Sequence, residues 1–97
     1  MKFMLSWQFH AGGKLHEALA RFSKMTPEQD AADRGKAIKL IGRWHDLARG
    51  RGVAICESDS AEAVANWALN WNSLLDVDVV PVLDDNETRT LGKTRAK

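Results

Sequence analysis

The sequence predicts an α+β domain built on a single four-stranded sheet. Stretches with strand-like alternation and stretches with helical spacing of apolar residues follow one another in the order β-α-(short α)-β-β-α-β. The chain has 97 residues, of which 44% are hydrophobic and 28% charged, the composition of one globular domain. Because so short a chain buries only part of its apolar surface, we expect a partner subunit to cover the rest.

The first half of the chain predicts one strand and two helices. Residues 2–9 alternate large apolar side chains with a mixed set, which is typical of a strand. Over residues 14–25 the apolar residues recur at helical spacing. A second, short helix is predicted over residues 27–34, because Thr26 can cap it and Pro27 suits its first position.

The second half predicts three strands and one long helix. The strands are expected at residues 36–45, 52–57 and 77–83, the last rich in β-branched residues. A capping box that begins at Asp59 opens the helix between the second and third of these strands. The apolar stripe of this helix consists of Val64, Trp67, Ala68, Trp71 and Leu74.

This order of elements is the ferredoxin-like plan, in which the main helices cover one face of a four-stranded antiparallel sheet. We expect residues 1–85 to form that domain and residues 86–97 to form a polar tail, frayed or partly helical.

The second face of the predicted sheet is too apolar to face water alone. By strict alternation it would carry Met4, Ser6, Gln8, Ile41, Arg43, His45, Ala54, Cys56, Val80 and Val82. At about 25 cal/mol per Å² of buried apolar area, covering this face would outweigh most single polar contacts. The pattern therefore predicts a symmetric homodimer.

Three segments also resemble a known family. They are MKFMLSWQF, LIGRWHDLARGRGVAICESDSAEAVANWALNW and LLDVDVVPVLDD, and together they make about residues 1–85 similar to the DUF3303 family. Its most specific elements are GRWH, the ESD turn into a tryptophan-bearing helix, and the strand LDVDVVPV. The resemblance implies a ferredoxin-like subunit of the dimeric α/β-barrel superfamily, which dimerises through its sheet. It implies no established activity and no catalytic residue.

The segment GRWHD contains the candidate site. Arg43 and His45 lie two apart on one strand, so both would point into a cavity at the sheet face, where imidazole can act as general acid or base and guanidinium can hold an anionic or carbonyl oxygen. Ser6, Gln8 and Trp44 are the further candidate ligand-binding residues. The simpler alternative is a strand end beside a basic turn, with both side chains paired across the dimer or with water. A register slip of one residue would turn Trp44 to the cavity instead.

Several functions are disfavoured. The net charge of +1 gives no general attraction for nucleic acid or for an anionic membrane. Residues 51–58 follow the RNA-binding RNP1 pattern, but Val53 and Ile55 stand where stacking aromatics are needed, so RNA binding is the less favoured reading. The three histidines lack metal-ligand spacing, and we expect neither a metal nor a cofactor.

The expected location is the cytoplasm. The single cysteine, Cys56, cannot form an internal disulfide and is expected to be a small buried residue. The apolar start of the chain is too brief for a signal peptide, and no run approaches the length of a membrane span.

The function predicted first is a homodimeric module that binds a small molecule or a partner at the sheet face. The alternative is a cofactor-independent enzyme, such as an oxygenase or isomerase acting on a small aromatic or carbonyl compound. In that alternative His45 is the acid or base and Arg43 the anchor.

Overall fold

A computed structural model describes residues 1–10 and 12–96, and it confirms the predicted order of strands and helices. One further helix follows the last strand. The elements are β1 (Lys2–Phe9), α1 (Lys14–Ser23), α2 (Pro27–Arg34), β2 (Lys39–Asp46), β3 (Arg51–Glu57), α3 (Ala61–Leu69), β4 (Leu75–Val82) and α4 (Asp85–Arg95).

The four strands form one antiparallel sheet in the order β2-β3-β1-β4. This is the ferredoxin-like arrangement, in which the first and third strands occupy the centre. The sheet of the single chain is open and does not close into a barrel. Pro81 lies on β4, an edge strand, where its missing N–H costs no interior ladder hydrogen bond.

Helix α2 begins at the predicted cap, Thr26, which forms a capping box with Gln29. The backbone N–H of Gln29 donates to Oγ1 of Thr26 at 3.1 Å, and the backbone N–H of Thr26 donates to Oε1 of Gln29 at 2.9 Å. Two backbone donors that a helix start leaves without partners are thereby satisfied. The segment therefore folds as a defined helix, although none of its residues is buried.

The other helix boundaries differ in detail from those predicted. The cap of α3 is Ser60, whose side chain accepts from the N–H of Ala63, and not Asp59. The polar tail forms the regular helix α4, because Asp84 and Glu87 make a second capping box. Serine and aspartate compete for a cap on equal terms, so the sequence alone leaves a one-residue ambiguity.

The core lies between the sheet and helices α1 and α3. Its largest cluster joins strand residues to Val64 and Trp67 of α3, and a second cluster includes Ala18 of α1. The buried apolar residues are Phe3, Leu5, Ala18, Ile38, Ala54, Cys56, Val64, Trp67, Leu74 and Leu75. One face of the sheet is thus covered by helices, and we call the other the open face.

A β-bulge in β2 overturns the predicted assignment of residues to these faces. Leu40 pairs with Cys56 and Gly42 pairs with Ile55, so Ile41 is an extra residue with no partner of its own. Two residues of β2 therefore oppose one of β3, and every later side chain of β2 changes sides.

Four residues predicted on the open face lie on the helix side. Ala54 and Cys56 pair with Leu5 and Phe3 and are buried in the core. Arg43 and His45 pair with Ala54 and Gly52, so they share that side of the sheet. For Ala54 and Cys56 the error was the parity of β3, and for Arg43 and His45 it was the bulge.

Candidate functional site

A cleft opens between the helix side of the sheet, helix α1 and the turn after α3. Its volume is about 90 Å³. Since a cavity needs about 10 to 15 Å³ to hold one water molecule, this cleft has room for a single small ring. The lining residues are Leu5, Trp7, Phe9, Ala18, Leu19, Phe22, Arg43, His45, Leu47, Ala54, Trp67, Ala68, Trp71, Leu75 and Val77. All of them are apolar except Arg43 and His45. We call this the helix-side cleft.

His45 lies at the mouth of the cleft. Its ring centroid is 5.6 Å from that of Trp7 and 5.3 Å from that of Phe22, both in tilted geometry, and its outer side is exposed. Partial burial, and then the positive charge of Arg43, lower the pKa of His45 below its ordinary value. Neither ring nitrogen is hydrogen-bonded to any residue in the ranges 1–10 and 12–96. A neutral imidazole is therefore available to a ligand.

Arg43 lines the cleft and is one member of an ion pair. Its two Nη atoms donate to the carboxylate of Asp30 at 3.2 and 3.1 Å, and its guanidinium carbon lies 4.7 Å from the centre of the Phe22 ring. Nη1 of Arg34 donates to the same carboxylate at 2.8 Å. Less than a fifth of each of the three charged side chains is exposed.

This arrangement also affects the carboxylate. Burial alone would raise the pKa of Asp30, but the hydrogen bonds and charges of Arg43 and Arg34 together outweigh burial and lower that pKa. Asp30 is therefore ionised near neutral pH and remains bound to both guanidiniums. The expected use of Arg43 as a free anion anchor does not match this geometry, because both of its Nη atoms already have an acceptor.

A second aspartate of α2 fixes another wall of the cleft. Asp33 accepts a hydrogen bond from Nε1 of Trp71 at 2.7 Å, and Nη2 of Arg21 is 4.0 Å from the same carboxylate. The guanidinium of Arg21 lies 4.0 Å above the Trp71 ring, and Phe22 meets that ring edge-on at 6.4 Å. Trp71 is thus held between a cation and an aromatic edge.

The other candidate ligand-binding residues lie on the opposite side of the sheet. Trp44 and Ser6 both pair with Val53 and point to the open face, where 59% of Trp44 is exposed. Gln8 also points to that face, and its amide donates to the carbonyls of Arg49 and Gly50 in the β2–β3 turn. The structure therefore brings Arg43 and His45 together and separates both from Trp44, Ser6 and Gln8.

The open face consists of four rows of paired residues that run across the sheet. The two middle rows are mostly apolar, and the two end rows carry charges of both signs. The middle rows are Trp44-Val53-Ser6-Asp78 and Gly42-Ile55-Met4-Val80, and the end rows are Lys39-Glu57-Lys2-Val82 and Asp46-Arg51-Gln8-Asp76.

Further features of the described residues concern metal ligands, the cysteine, the helices and the open face. Across residues 1–10 and 12–96, no group of three or more potential metal ligands is close enough to hold an ion. Cys56 is fully buried, and that burial raises the pKa of its thiol, which suits a packing role. Within the same ranges, no helix combines the length and apolar character needed to cross a membrane. Val53 and Ile55 do lie on the open face, where an RNA-binding sheet would present its aromatics.

Comparison with known proteins identifies the family. A model of a domain of unknown function, DUF3303, matches residues 1–96. The chain belongs to the DUF3303 family. Searches of curated proteins and of solved structures found no match. The family match extends past the resemblance seen in the sequence and takes in helix α4 of this DUF3303 domain.

The residues that sequence reasoning missed are Asp30 and Asp33. Their spacing of three puts them on one side of α2, which a helical projection could have shown. Their partners could not have been found that way, because Arg43 and Trp71 are 13 and 38 residues away along the chain.

Proposed function

We propose that this chain binds a small, uncharged aromatic molecule in the helix-side cleft, with a polar group of that molecule hydrogen-bonded to His45. The observation that carries the proposal is an unpartnered neutral imidazole at the mouth of an otherwise apolar cleft. An apolar pocket with few polar groups is the usual form of a small-molecule site. The aromatic walls favour a planar ring, and they are formed by Trp7, Phe9, Phe22, Trp67 and Trp71.

The four tryptophans supply the test. Three of them, Trp7, Trp67 and Trp71, line the cleft, whereas Trp44 lies on the open face. Phenol titrated into ¹⁵N-labelled protein is expected to shift the indole N–H signals of the first three and to leave that of Trp44 in place. Signals that do not move, or a shift confined to Trp44, would contradict the proposal.

A pair of histidine variants tests the hydrogen bond. His45→Ala is expected to weaken phenol binding by about two- to tenfold, the loss of one hydrogen bond. His16→Ala, which removes an exposed imidazole from α1, is expected to leave phenol affinity unchanged. Equal affinities in the two variants would remove His45 from the site.

A cofactor-independent enzyme is the second candidate, and the lowered pKa of His45 favours it. A neutral imidazole can take a proton from the carbon beside a carbonyl, and an isomerase would return that proton to another carbon. An oxygenase would instead add dioxygen to the carbanion that remains. Arg43 would then act through the positive charge it places near His45, since its Nη atoms are held by Asp30.

Deuterium exchange separates the two candidates. Acetophenone in D₂O would exchange its methyl protons faster with the native chain than with His45→Ala, if His45 is a base. Binding without accelerated exchange would leave the binding module as the function. Exchange that persists in His45→Ala would place the base elsewhere.

We also propose that the occupant of the open face is a second copy of this chain. Strands of seven or eight residues in a four-stranded sheet span about 19 by 27 Å, or about 500 Å² in projection. Since accessible area exceeds projected area, this approaches the ~800 Å² per partner of a standard interface. The apolar middle and charged ends follow the usual anatomy of a protein interface.

The charges of the end rows favour self-association over a partner of one sign. Lys2 and Lys39 flank Glu57 at one end, and Arg51 lies between Asp46 and the acidic edge of β4 at the other. A face with both signs at each end can meet its own copy without repulsion between like charges. The location that we propose is the cytoplasm, and the buried, unpaired thiol of Cys56 supports it.

A further inference from the structure

Arg43 is the one permanently charged side chain among the residues that line the helix-side cleft. A lone guanidinium in an apolar wall would ordinarily attract carboxylates and phosphates, because its N–H groups match their oxygens. Here the guanidinium instead packs on Phe22 and gives both Nη atoms to Asp30.

Asp30 is well placed to keep that partner. Its carboxylate lies on α2, a helix fixed by its own capping box, and it also binds Arg34 one turn later. Less than a fifth of the Asp30 side chain is exposed, so water screens the pair weakly. An anion entering the cleft would have to compete with a carboxylate that is already bound.

We infer that Asp30 is a specificity-determining residue, which makes the cleft select uncharged rings over anionic rings of the same size by holding the guanidinium of Arg43. The inference rests on the proposed function, in that the cleft must admit a small ring. Asp30 does not line the cleft itself and acts through Arg43.

Replacement of the carboxylate by its amide isolates this role. Asparagine keeps nearly the same shape but has no charge and only one acceptor oxygen, whereas aspartate offers two. In Asp30→Asn one Nη of Arg43 loses its acceptor, and the charge of Arg43 is no longer neutralised by its partner. A carboxylate on the ligand could then take the place of the one removed.

The experiment compares phenol with benzoate, a neutral and an anionic ring at neutral pH. Each is titrated into the native chain, into Asp30→Asn and into Asp78→Asn, with the cleft tryptophan signals as the readout. Asp78→Asn makes the same change of net charge on the open face. We expect benzoate affinity to rise about tenfold or more in Asp30→Asn alone, the effect of one charged hydrogen bond. Phenol affinity should stay within about threefold.

A folded Asp30→Asn protein without a gain in benzoate affinity would overturn the inference, as would an equal gain in Asp78→Asn. Absence of phenol binding to the native chain would remove the proposed function, yet a benzoate gain confined to Asp30→Asn would still uphold the role of Asp30.

Arg43→Met decides the matter if Asp30→Asn does not fold, because it leaves Asp30 paired with Arg34. Because Arg43 already has an acceptor in the native chain, Arg43→Met is expected to leave benzoate affinity within about threefold of the native value. A larger fall in the benzoate affinity of folded Arg43→Met protein would mean that Arg43 binds an anion even with Asp30 present, and would overturn the inference.

Discussion

His45 sits in surroundings that disfavour its charged form. It lies against Trp7 and Phe22, and Arg43 on the same side of the strand adds a positive charge. Both influences act in one direction, so the imidazole stays neutral at pH values where a solvated histidine begins to take up a proton. A binding site and a general base both need that neutral form.

The pKa of His45 in the folded chain is therefore predicted to lie below 6.5, its ordinary value. The unfolded chain binds this proton more tightly than the folded chain does. The contribution of His45 to the free energy of unfolding is therefore fully present above the pKa that the imidazole has in the unfolded chain, and it is lost as pH falls through the pKa that it has in the folded chain. NMR titration of the imidazole carbon protons measures the shift. Arg43→Met should move the pKa partway back, since burial remains. A titration midpoint at 6.5 or above would contradict this account.

Gly52 shows how closely the helix side of the sheet is packed. A Cβ at this position would overlap Cζ2 of Trp7 and lie 2.7 Å from the backbone oxygen of Trp44. Gly52→Ala is predicted to lower the free energy of unfolding by about 1–3 kcal/mol, the usual cost of overpacking. Urea denaturation measures the change. Gly92→Ala is the control, because a Cβ there meets open space, and an equal loss in both variants would refute the packing explanation.

Among the elements, α2 combines a polar surface with a structural role. None of its residues is buried, yet Asp30 and Asp33 hold one side chain each from β2 and from the turn after α3. Its apolar pattern is weak, so the sequence predicts the helix from its cap alone. Its contribution to the cleft depends on pairings between residues distant in the chain, which no local pattern encodes.

Loss of the α2 cap is predicted to affect both stability and cleft. Thr26→Ala should lower the free energy of unfolding by about 1 kcal/mol, because the N–H of Gln29 loses its acceptor. It should also broaden the indole N–H signal of Trp71, which is bonded to Asp33. Thr90→Ala in α4 removes a threonine from an exposed helix and should do neither. An unchanged unfolding midpoint in Thr26→Ala would refute the prediction.

Strand β2 shows where sequence reasoning reaches its limit. The order of the strands was predicted correctly from the alternation of apolar residues. The same strict alternation, continued from Leu40 onwards, wrongly predicts Arg43 and His45 on the open face. The bulge at Ile41 depends on how β2 pairs with β3, which is a tertiary choice. The only local signal is Gly42, whose missing side chain leaves room for the Trp44 ring that lies over it.

At the scale of the whole molecule, the fold leaves one sheet face uncovered by its own helices. The sequence predicted such a face and a dimer through it, but with the wrong residues from β2 and β3. Corrected for the bulge and the parity of β3, the face loses Arg43, His45 and two small core residues, and it gains Trp44, Val53 and Ile55. Larger apolar side chains thus stand in its middle rows, while charges of both signs stay in its end rows, and this arrangement supports the proposed homodimer.

Val80→Asp is predicted to weaken that dimer at least about 100-fold, since it introduces a carboxylate into an apolar row beside Met4. Sedimentation equilibrium measures the monomer fraction. Leu69→Asp on α3 is the control, because it makes the same kind of change at an exposed apolar residue on the helix layer. A native chain that stays monomeric at high concentration, or a dimer unaffected by Val80→Asp, would rule out the open face as the interface.

Because of the extra residue at Ile41, the number of residues in β2 decides which side chains face the cleft and which face outward. Deletion of that residue would turn over the end of the strand, exchanging the indole with the imidazole and guanidinium between an inner compartment and an outer surface. The composition of the chain would hardly change, yet the cleft and the open face would exchange these functional groups. In this fold a single insertion or deletion, with no substitution at all, is enough to relocate a site.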